Sequence, residues 1–376
     1  MKKRILQLSN YYYPEIGGIE KIAQSISDGL RDEYEVKVIC FTHRKQSSTE
    51  RIDGTEVMRC GTKVKVASQQ LTPEMISCIK WEMRIYKPDA VIIHMPNPFL
   101  ETILLRYLTD DCKLIVYWHS DIVKQRIGKI LFSGLTKMLL DRANTIVATS
   151  PNYISGSADL RKYSEKCVVI PNCIDEDQLA ITDNIRLTAE KIRKENENKH
   201  ICICVGRQVP YKGFEYAIEA VNSLNDDYVL YIIGREGEST KLLKLMAVGS
   251  PRIRFIGEVD GDTLYAYMLA CDIFCFPSVT KNEAFGIALA EGMYFGKPAV
   301  TFTIPGSGVN FVSLNGVTGI EVENRNAISY AEAIRTLSED VAKQTQYGIA
   351  AKERVEELFL KKQFGENIKE LIRTLV

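Results

Sequence analysis

The feature that most constrains this fold is the regular alternation of short apolar runs with longer amphipathic segments. Six runs rich in valine and isoleucine occur in the first half of the sequence: RILQLSN, EVKVICFT, DAVIIHM, KLIVYWH, NTIVATS and KCVVIPN. The pattern restarts with HICICVGR, YVLYIIG, RIRFIGEV, DIFCFPS, KPAVTFT and GIEVEN. Continuous apolar strands that alternate with helices are typical of parallel sheets with both faces buried. We therefore predict an α/β fold with two Rossmann-like domains facing each other across a cleft, where such folds bind ligands.

The two series are separated by a polar, charged stretch at residues 175–199 that has no strand signal. We place the boundary there and predict an amino-terminal domain at 1–175 and a carboxy-terminal domain at 176–359. The helix at about 360–376 is expected to pack back on the first domain. The length of 376 residues suits this division, because single cores rarely grow beyond about 300 residues.

Composition excludes several functional classes. The 48 lysine and arginine residues match 48 aspartate and glutamate residues, so the overall charge gives no indication of nucleic-acid binding. The first ten residues hold too short an apolar run for a signal peptide, and no window approaches the length of a transmembrane helix. Ten cysteines without CxxC spacing and four scattered histidines predict buried free thiols, no metal site and a cytoplasmic location.

Four turns that follow predicted strands carry the candidate chemistry. In NYYYPEIGGIEK, Gly17 and Gly18 would allow positive φ and close approach of a ligand to a helix that starts near Ile19. In VYWHSDIV, His119 lies at the carboxyl end of the fourth predicted strand, the end at which such folds bind ligands. Each has an ordinary alternative: a plain tight turn for the glycines and a structural role for the histidine.

The third turn, VGRQVPYKGF, places two cations on either side of a proline-containing loop. Arg207 follows Gly206 at a strand end, and Lys212 precedes Gly213 at a helix start. A planar guanidinium and a point-charge ammonium in this arrangement can straddle a diphosphate. In isolation, two solvated loop cations would explain the same residues.

The fourth turn, TKNEAFGIALAEGM, contains two glutamates in an otherwise small and apolar segment. We predict that Glu283 lies in a loop and that Glu291 lies about two turns into a helix beginning near Phe285. Gly286 would let an anion approach the first amides of that helix. Glu283 could then accept hydrogen bonds from sugar hydroxyls, and Glu291 from both hydroxyls of a ribose. A solvated loop position is the alternative for Glu283.

Taken together, these residues resemble the retaining, nucleotide-sugar-dependent glycosyltransferases of family 4, or group 1, which have the two-domain GT-B fold. The resemblance runs nearly end to end through GGIE, the histidine after the fourth strand, VIPNCID, GR followed by KG, E-x7-E, GKPAVTF and NGVTGIEVE. Cys173 departs from the family pattern, which more often has glycine in that turn. The region of the two glutamates is similar to that of members that build bacterial surface polysaccharides, such as O-antigen or capsule, from GDP-mannose or GDP-rhamnose.

The resemblance implies a metal-independent hexosyltransferase without a cofactor, whose co-substrate is a GDP- or UDP-sugar. It also implies that the acceptor hydroxyl attacks the sugar face from which the nucleoside diphosphate leaves, so that the anomeric configuration is retained. The carboxy-terminal domain would bind the nucleotide-sugar, and the amino-terminal domain would bind a glycan or polyprenyl-linked acceptor.

The resemblance assigns roles to individual residues as well. Arg207 and Lys212 would hold the diphosphate, with help from backbone amides. Glu283 would hold the sugar, Glu291 the ribose, and His119 the sugar or the acceptor. The remaining binding positions are expected in the first glycine turn, at the start of the glutamate-bearing helix and, for the base, in loops after later strands: Gly17, Gly18, Ala284, Phe285, Gly286, Ile287, Gly234 and Val259.

Other functions fit the sequence less well. A nucleotide-sugar 2-epimerase shares this fold but usually needs acid and base groups that the sequence does not identify. A non-catalytic carbohydrate-binding protein is disfavoured by the intact cation pair and the two glutamates. An NAD dehydrogenase is disfavoured because no G-x-G-x-x-G follows the first strand of either domain.

Residues 122–142 interleave an apolar stripe with five basic residues: Lys124, Arg126, Lys129, Lys137 and Arg142. Helices of this kind lie on anionic membrane surfaces, although most bury the stripe in a domain core. Residues 1–175 also hold 25 basic and only 20 acidic side chains. These two observations raise the hypothesis that the amino-terminal domain docks on the inner face of the cell membrane and takes a lipid-linked acceptor from it.

Overall fold

A computed structural model of the chain describes residues 2–15, 17–62, 64–66, 69–121 and 126–376. The chain divides into two units. Unit 1 is formed by Met1–Cys173 with Lys361–Val376, and unit 2 by Ile174–Leu360. The polar stretch at 175–199 belongs to unit 2 and contains a helix. As predicted, the ten cysteines are free thiols, and most of them are buried.

The six apolar runs of the first half all form strands in unit 1. They correspond to β1, β2, β7, β8, β9 and β10, and β3 to β6 are further strands. The described strands of unit 1 are β1 (Arg4–Leu8), β2 (Glu35–Thr42), β3 (Ser48–Ile52), β4 (Thr55–Gly61), β5 (Val64–Val66), β6 (Gln69–Leu71), β7 (Ala90–Met95), β8 (Lys113–Trp118), β9 (Thr145–Ala148) and β10 (Cys167–Val169). Eight of them form one sheet in the order β10-β9-β8-β7-β1-β2-β4-β3, while β5 and β6 pair separately. The order reverses between β1 and β7, and the carboxyl ends of strands at such a reversal are where open α/β sheets bind ligands.

Strands β3 and β4 form an edge hairpin that the sequence reasoning missed. They pair antiparallel through a two-residue loop, Asp53-Gly54, between Ile52 and Thr55. Both loop residues have positive φ, 47° and 87°, which is the backbone of a type I′ turn. An Asp-Gly pair between strand-like residues is a strong hairpin signal, and Asp53-Gly54 is such a pair.

The helices of unit 1 cover its sheet. In chain order they are α1 (Gly18–Leu30), α2 (Pro73–Ile85), α3 (Pro98–Tyr107), α4 (Arg126–Arg142) and α5 (Pro151–Gly156). A 3₁₀ segment at Leu160–Lys166 precedes β10. Helix α3 contacts both α2 and α4, so these three helices form one layer.

The basic segment predicted at residues 122–142 falls mainly on α4. Lys124 and the side chains of Arg126 and Lys129 lie outside the described residues. Lys137 is exposed. Arg142 instead donates hydrogen bonds to three backbone carbonyls of the turn after α3. The guanidinium of Arg142 therefore holds that turn, which corrects its assignment to a lipid-facing group.

The second series of apolar runs forms a fully parallel sheet in unit 2. Its strands are β11 (His200–Val205), β12 (Tyr228–Ile233), β13 (Ile253–Gly257), β14 (Ile273–Phe276), β15 (Ala299–Phe302) and β16 (Gly319–Val322). Their order is β13-β12-β11-β14-β15-β16. This is the 3-2-1-4-5-6 order of a doubly wound Rossmann sheet, in which the order reverses between β11 and β14.

The helices of unit 2 enclose this sheet in a continuous apolar core that includes Phe274, Phe276 and Phe302. They are α6 (Asp183–Glu195), α7 (Phe214–Ser223), α8 (Thr240–Met246), α9 (Gly261–Ala270), α10 (Ile287–Tyr294), α11 (Val309–Val312), α12 (Ala327–Glu339) and α13 (Val341–Leu358). None of the helices in the described parts of the chain is long and apolar enough to cross a membrane.

The last helix, α14 (Lys361–Leu375), returns to unit 1 and packs on α1. The two helices approach closely at Gly29 and Gly365, where a Cβ on Gly29 would lie 2.9 Å from the Cα of Gly365. Arg373 pairs with Glu33 at 2.6 Å, and Lys361 pairs with Asp28 at 2.9 Å. These ends flank the apolar contact, so the carboxy-terminal helix is an integral part of unit 1.

Candidate functional site

The loop after β11 and the loop after β14 are locked together in unit 2. Their strands are neighbours in the sheet, so their carboxyl ends lie side by side. The N–H of Val279 donates to the carbonyl of Tyr211 at 2.9 Å. Gly213 has φ +63°, and a Cβ there would lie 2.2 Å from the carbonyl oxygen of Pro277. Only glycine therefore permits this approach of the two backbones.

Lys212 and Glu283 form a buried ion pair across these two loops. The Lys212 Nζ lies 2.5 Å from Glu283 Oε2, and the two side chains are only 11% and 12% exposed. The hydroxyl of Ser278 donates to the same carboxylate oxygen at 3.1 Å. The ammonium also lies 4.8 Å from the centre of the Phe276 ring, within cation–π distance.

Burial and the ion pair act in opposite directions on Lys212. Burial disfavours the charged ammonium and lowers its pKa, but the attraction of Glu283 outweighs this effect. The pKa of Lys212 consequently lies above its ordinary value. Lys212 is thus a protonated, buried and oriented cation near neutral pH.

Arg207, the second predicted cation, is in a different environment. It follows Gly206 at the end of β11 and is exposed. Within the part of the chain that the structure describes, its guanidinium has no hydrogen-bonded or ion-paired partner. Its loop is nevertheless held, because the N–H of Gln208 donates to the carbonyl of Arg235 at 3.1 Å. The site therefore combines one paired, buried cation with one that is available to an anion.

Helix α10 begins at Ile287, two residues later than predicted. Gly286 has φ +97°, a left-handed conformation that cannot continue a helix, so the helix starts after it. Glu291 consequently lies about one turn inside the helix and not two, and it is only 7% exposed. Gly286 has no side chain, so this position provides no side-chain cap for the first-turn amides of α10.

The segment around Glu283 is fixed from a third side by the loop after β15. Ser307 donates a hydrogen bond from its hydroxyl to the carbonyl of Glu283. A Cβ on Gly308 would lie only 2.1 Å from the carbonyl oxygen of Ala284. Phe285 is buried and packs edge-on against Phe359, so its side chain belongs to the core. Any contact of Phe285 with a ligand would therefore be made through its backbone.

Ser278 and Ser307 are site residues that the sequence reasoning missed. Both lie within a few residues of the end of a buried strand, in FPS and TIPGS. Polar residues at the carboxyl ends of parallel strands are the signal that could have identified them.

Gly234 and Val259, the predicted base-pocket positions, follow β12 and β13 at the same edge of the sheet. A Cβ on Gly234 would lie 2.4 Å from the carbonyl oxygen of Gly206, so Gly234 directly abuts the loop of Arg207. Val259 is half-buried and packs against the core of unit 2. The structure therefore places Gly234 beside the cation loop, while Val259 lies two strands away from β11.

In unit 1, His119 ends a buried chain of hydrogen bonds. Nε2 of Gln7 donates to the carbonyl of Ala23 at 3.3 Å and to Ser27 Oγ at 2.7 Å. Oε1 of Gln7 lies 3.0 Å from His94 Nε2, and His94 Nδ1 lies 2.8 Å from His119 Nε2. Gln7 and His94 lie near the carboxyl ends of β1 and β7, and His119 directly follows β8, so the chain links three strand ends.

The chain determines which ring nitrogens carry protons. A carbonyl oxygen only accepts, so Ala23 orients the Gln7 amide, and Gln7 Oε1 must accept a hydrogen bond from the N–H at His94 Nε2. His94 Nδ1 then accepts from His119 Nε2. Burial lowers the pKa of His94 to about 3. Burial, with a smaller effect of His94, holds the pKa of His119 well below its usual value. His119 is therefore neutral, and its Nδ1 is a hydrogen-bond acceptor.

The glycine turn after β1 differs from its prediction. Gly17 is extended, with φ −177°, and Gly18 already begins α1, so neither residue uses positive φ. The carboxylate of Glu20 lies over Gly17, where a Cβ would come within 2.1 Å of Oε2. Burial raises the pKa of Glu20. Gly17 thus leaves room for the carboxylate of Glu20, a side chain of α1.

Two family models together account for most of the chain. Glycosyltransferase Family 4 matches residues 16–178, and Glycosyl transferases group 1 matches residues 186–354. The structure of sucrose-phosphate synthase from Thermosynechococcus elongatus matches with a TM-score of 0.80 at 18% identity, and the match covers 100% of this chain and 99% of that chain. This chain belongs to the GT-B glycosyltransferases. The predicted family and fold class are both confirmed.

The glycosyltransferase has relatives that match over nearly its whole length. It is 28% identical over 362 residues to O-antigen chain mannosyltransferase C of Escherichia coli, covering 95% of this chain and 94% of the relative. It is 29% identical over 360 residues to D-rhamnosyltransferase WbpZ of Pseudomonas aeruginosa, covering 95% and 92%.

Proposed function

We propose that this glycosyltransferase moves a hexose from a nucleoside-diphosphate sugar to an O-antigen-type glycan with retention of the anomeric configuration. The observation that supports this proposal is the arrangement at the carboxyl edge of the unit 2 sheet. Three features lie on loops that follow neighbouring strands: Arg207, which has no partner among the described residues, the ion pair of Lys212 with Glu283, and the first turn of α10. A diphosphate and a sugar need these complementary charges and donors.

The diphosphate, the ribose and the transferred sugar of the donor are each assigned to particular groups. The guanidinium of Arg207 and the ammonium of Lys212 bind the diphosphate, with the first amides of α10. Glu291 binds the ribose. Lys212 and Ser278 both contact Oε2 of Glu283, and we assign Oε1 to a hydroxyl of the transferred sugar. In unit 1, Nδ1 of His119 accepts a hydrogen bond from a substrate hydroxyl.

The proposed reaction is the one that the family resemblance implies. The acceptor oxygen forms a bond to the anomeric carbon as the bond to the diphosphate oxygen breaks on the same face. The proton of the acceptor hydroxyl passes to the departing phosphate oxygen. Arg207 and Lys212 stabilise the negative charge that develops on the leaving group, and fixed positions lower the entropic part of the barrier. In this proposal the two cations carry out the charge neutralisation, and the reaction requires neither a metal ion nor a cofactor.

The relatives suggest the substrates. Because they are named as a mannosyltransferase and a D-rhamnosyltransferase, we propose GDP-mannose or GDP-D-rhamnose as donor, with a UDP-sugar as the alternative. The acceptor is a glycan, carried on a polyprenyl lipid at the inner face of the cell membrane. Both family models describe transferases, which favours transfer over the 2-epimerase and binding-protein alternatives.

The test is a thermal-shift screen of GDP-, UDP- and ADP-sugars followed by a transfer assay on the stabilising donor. A ligand that binds only the folded protein raises its stability by mass action. NMR of the product then reports the anomeric configuration, and an assay with chelator reports metal dependence. Stabilisation by no nucleotide-sugar would contradict the donor site. An inverted product, or loss of activity with chelator, would contradict the mechanism, and epimerisation without acceptor would support the 2-epimerase.

A further inference from the structure

Two Gly-Arg pairs stand side by side at the carboxyl edge of the unit 2 sheet. One is Gly206-Arg207 after β11, and the other is Gly234-Arg235 after β12. The two strands pair in parallel and in register up to their last residues, so each Gly-Arg pair follows its strand at the same level. Both glycines have positive φ, 144° and 128°, so the backbone turns in a similar way before each arginine.

The pairing of the two chains continues past the strand ends. The N–H of Gly206 donates to the carbonyl of Ile233 at 2.9 Å, and the N–H of Gln208 donates to the carbonyl of Arg235 at 3.1 Å. These bonds repeat at every second residue, as in a parallel ladder, so Arg207 lies opposite Arg235. Neighbouring strands are about 4.8 Å apart, and side chains in register point to the same side. The two arginines therefore leave the sheet edge as neighbours.

Among the described residues, neither guanidinium has a hydrogen-bonded or ion-paired partner that would neutralise it. Arg235 is exposed, as Arg207 is. The next acidic residue, Glu236, pairs with Lys244 at 2.6 Å. Like charges that lie opposite each other on neighbouring strands are destabilising. An anion bound between the two arginines would remove this repulsion.

The backbone that carries Arg235 is held in place by Gln208. The carbonyl of Gln208 accepts a hydrogen bond from the N–H of Ser239 at 3.0 Å. A Cβ on Gly237 would lie 2.5 Å from the same carbonyl oxygen, so the two backbones are in close contact. Nε2 of Gln208 also lies 3.4 Å from the carbonyl oxygen of Gly234. The loop after β12 is thus fixed before a ligand binds, which lowers the ordering cost of binding.

We propose that Arg235 binds the phosphate of the donor that carries the nucleoside, while Arg207 and Lys212 bind the phosphate that carries the sugar. This proposal rests on the proposed function, because it takes a nucleoside-diphosphate sugar as the ligand. Strand β12 lies between β11 and β13, so Arg235 is on the side of Arg207 where Val259 and the base are assigned. Glu283, which is assigned to the sugar, follows β14 on the other side.

The proposal predicts different kinetic effects for the two arginines. The bond to the sugar-bearing phosphate breaks in the reaction, and negative charge develops there, next to Arg207. The nucleoside-bearing phosphate keeps the same charge throughout, so Arg235 would bind the ground state and the transition state equally. Loss of Arg235 should therefore raise KM with little change in kcat, whereas loss of Arg207 should lower kcat.

Titration calorimetry with three probes of increasing length tests the assignment. The probes are a nucleoside, its monophosphate and its diphosphate, with the base that the wild type binds in the thermal-shift screen. Arg235→Ala should weaken binding of the diphosphate about tenfold, the usual order for one charge-assisted contact at an exposed site. It should weaken the monophosphate equally and leave the nucleoside unchanged. The kcat of Arg235→Ala should stay within about threefold of wild type, while KM for the donor rises about tenfold.

Three variants serve as comparisons. Arg207→Ala should leave binding of the monophosphate nearly unchanged and should reduce turnover. Arg235→Lys keeps a point charge without the planar fork, so it should restore part of the affinity for the diphosphate. Arg335→Ala removes an exposed arginine of α12 in the same unit and should behave as wild type does.

Three results would overturn the proposal. One is an unchanged affinity of Arg235→Ala for the diphosphate. Another is an equal loss of affinity for the nucleoside, which would assign Arg235 to the base. The third is a fall in kcat as large as that of Arg207→Ala, which would assign both arginines to the sugar-bearing phosphate. If the wild type binds no nucleotide at all, the proposed function fails. If it binds a nucleotide that Arg235→Ala binds equally well, only the role of Arg235 is contradicted.

Discussion

The Lys212 ammonium and the Glu283 carboxylate, 2.5 Å apart, join two loops of unit 2 that are 71 residues apart in the chain. Breaking a buried ion pair leaves one charge without compensation, which typically costs about 3–5 kcal/mol. Lys212→Met and Glu283→Gln should therefore each lower the free energy of unfolding of unit 2 substantially. The double variant should recover much of that stability but not the turnover. Calorimetry of the wild type, the two single variants and the double variant gives a double-mutant cycle. If the stability losses of the two single variants simply add in the double variant, the two side chains do not interact.

Arg207 should behave in the opposite way. Its side chain is exposed and has no partner among the described residues, so Arg207→Ala should change stability by less than about 0.5 kcal/mol. Turnover should nevertheless fall by about 10²–10³, the usual effect of removing a preorganised group that stabilises developing charge. Lys212→Ala should lose turnover to a similar extent and stability as well. Lys241→Ala, which removes an exposed cation of α8, is the control. Near-normal turnover in both Arg207→Ala and Lys212→Ala would contradict the phosphate assignment.

The two glutamates should differ in what they change. Glu291 is buried in the first turns of α10 and is assigned to the ribose, so Glu291→Gln should mainly weaken nucleotide binding. Glu283 is assigned to the sugar and also orients Lys212, so Glu283→Gln should mainly reduce turnover. Titration calorimetry with the nucleoside diphosphate and steady-state kinetics distinguish the two effects. Identical profiles for the two variants would refute this division of roles.

The buried histidines predict a pH dependence for unit 1. The pKa of His94 is about 3 and that of His119 is well below its usual value, whereas an unfolded histidine titrates near about 6.5. As the pH falls below about 6.5, the unfolded chain binds protons that the folded unit does not bind. Stability should then be lost by up to about 1.4 kcal/mol per pH unit for each histidine.

Urea denaturation followed by tryptophan fluorescence measures this effect, because both tryptophans lie in unit 1. Burial raises the pKa of Glu101 to about 7, so the folded unit keeps a proton that the unfolded chain has released. Glu101 therefore makes stability rise as the pH falls, which is opposite to the effect of the histidines. The difference between wild type and His94→Gln isolates the histidine term. An unchanged pH slope in His94→Gln would show that His94 is not kept neutral by the fold.

The architecture was largely predictable from the sequence, because each buried parallel strand leaves a continuous apolar run. All twelve runs proved to be strands. The hairpin of β3 and β4 was missed because STERI and TEVMRC alternate only weakly between apolar and polar residues. Its turn, Asp53-Gly54, would have been a better guide than its strands.

The residues of the candidate site were proposed from the sequence, but their contacts could not be. Arg207, Lys212 and Glu283 were identified individually, yet their different environments depend on which strands are neighbours. The contact of Lys212 with Glu283 requires β11 beside β14, which a doubly wound order implies once it is assumed. The chain of Gln7, His94 and His119 joins three separate strands and leaves no signal in local spacing.

The return of α14 to α1 affects how the protein is made. On a ribosome, domains generally fold from the amino terminus as they emerge, but unit 1 lacks its last helix until residues 361–376 have been translated. At about 5–20 residues per second, translation of the intervening 187 residues of unit 2 takes roughly 10–40 s. Throughout that interval the face of α1 that will contact α14 remains uncovered on the nascent chain. The amino-terminal half of this glycosyltransferase is therefore begun first and completed last.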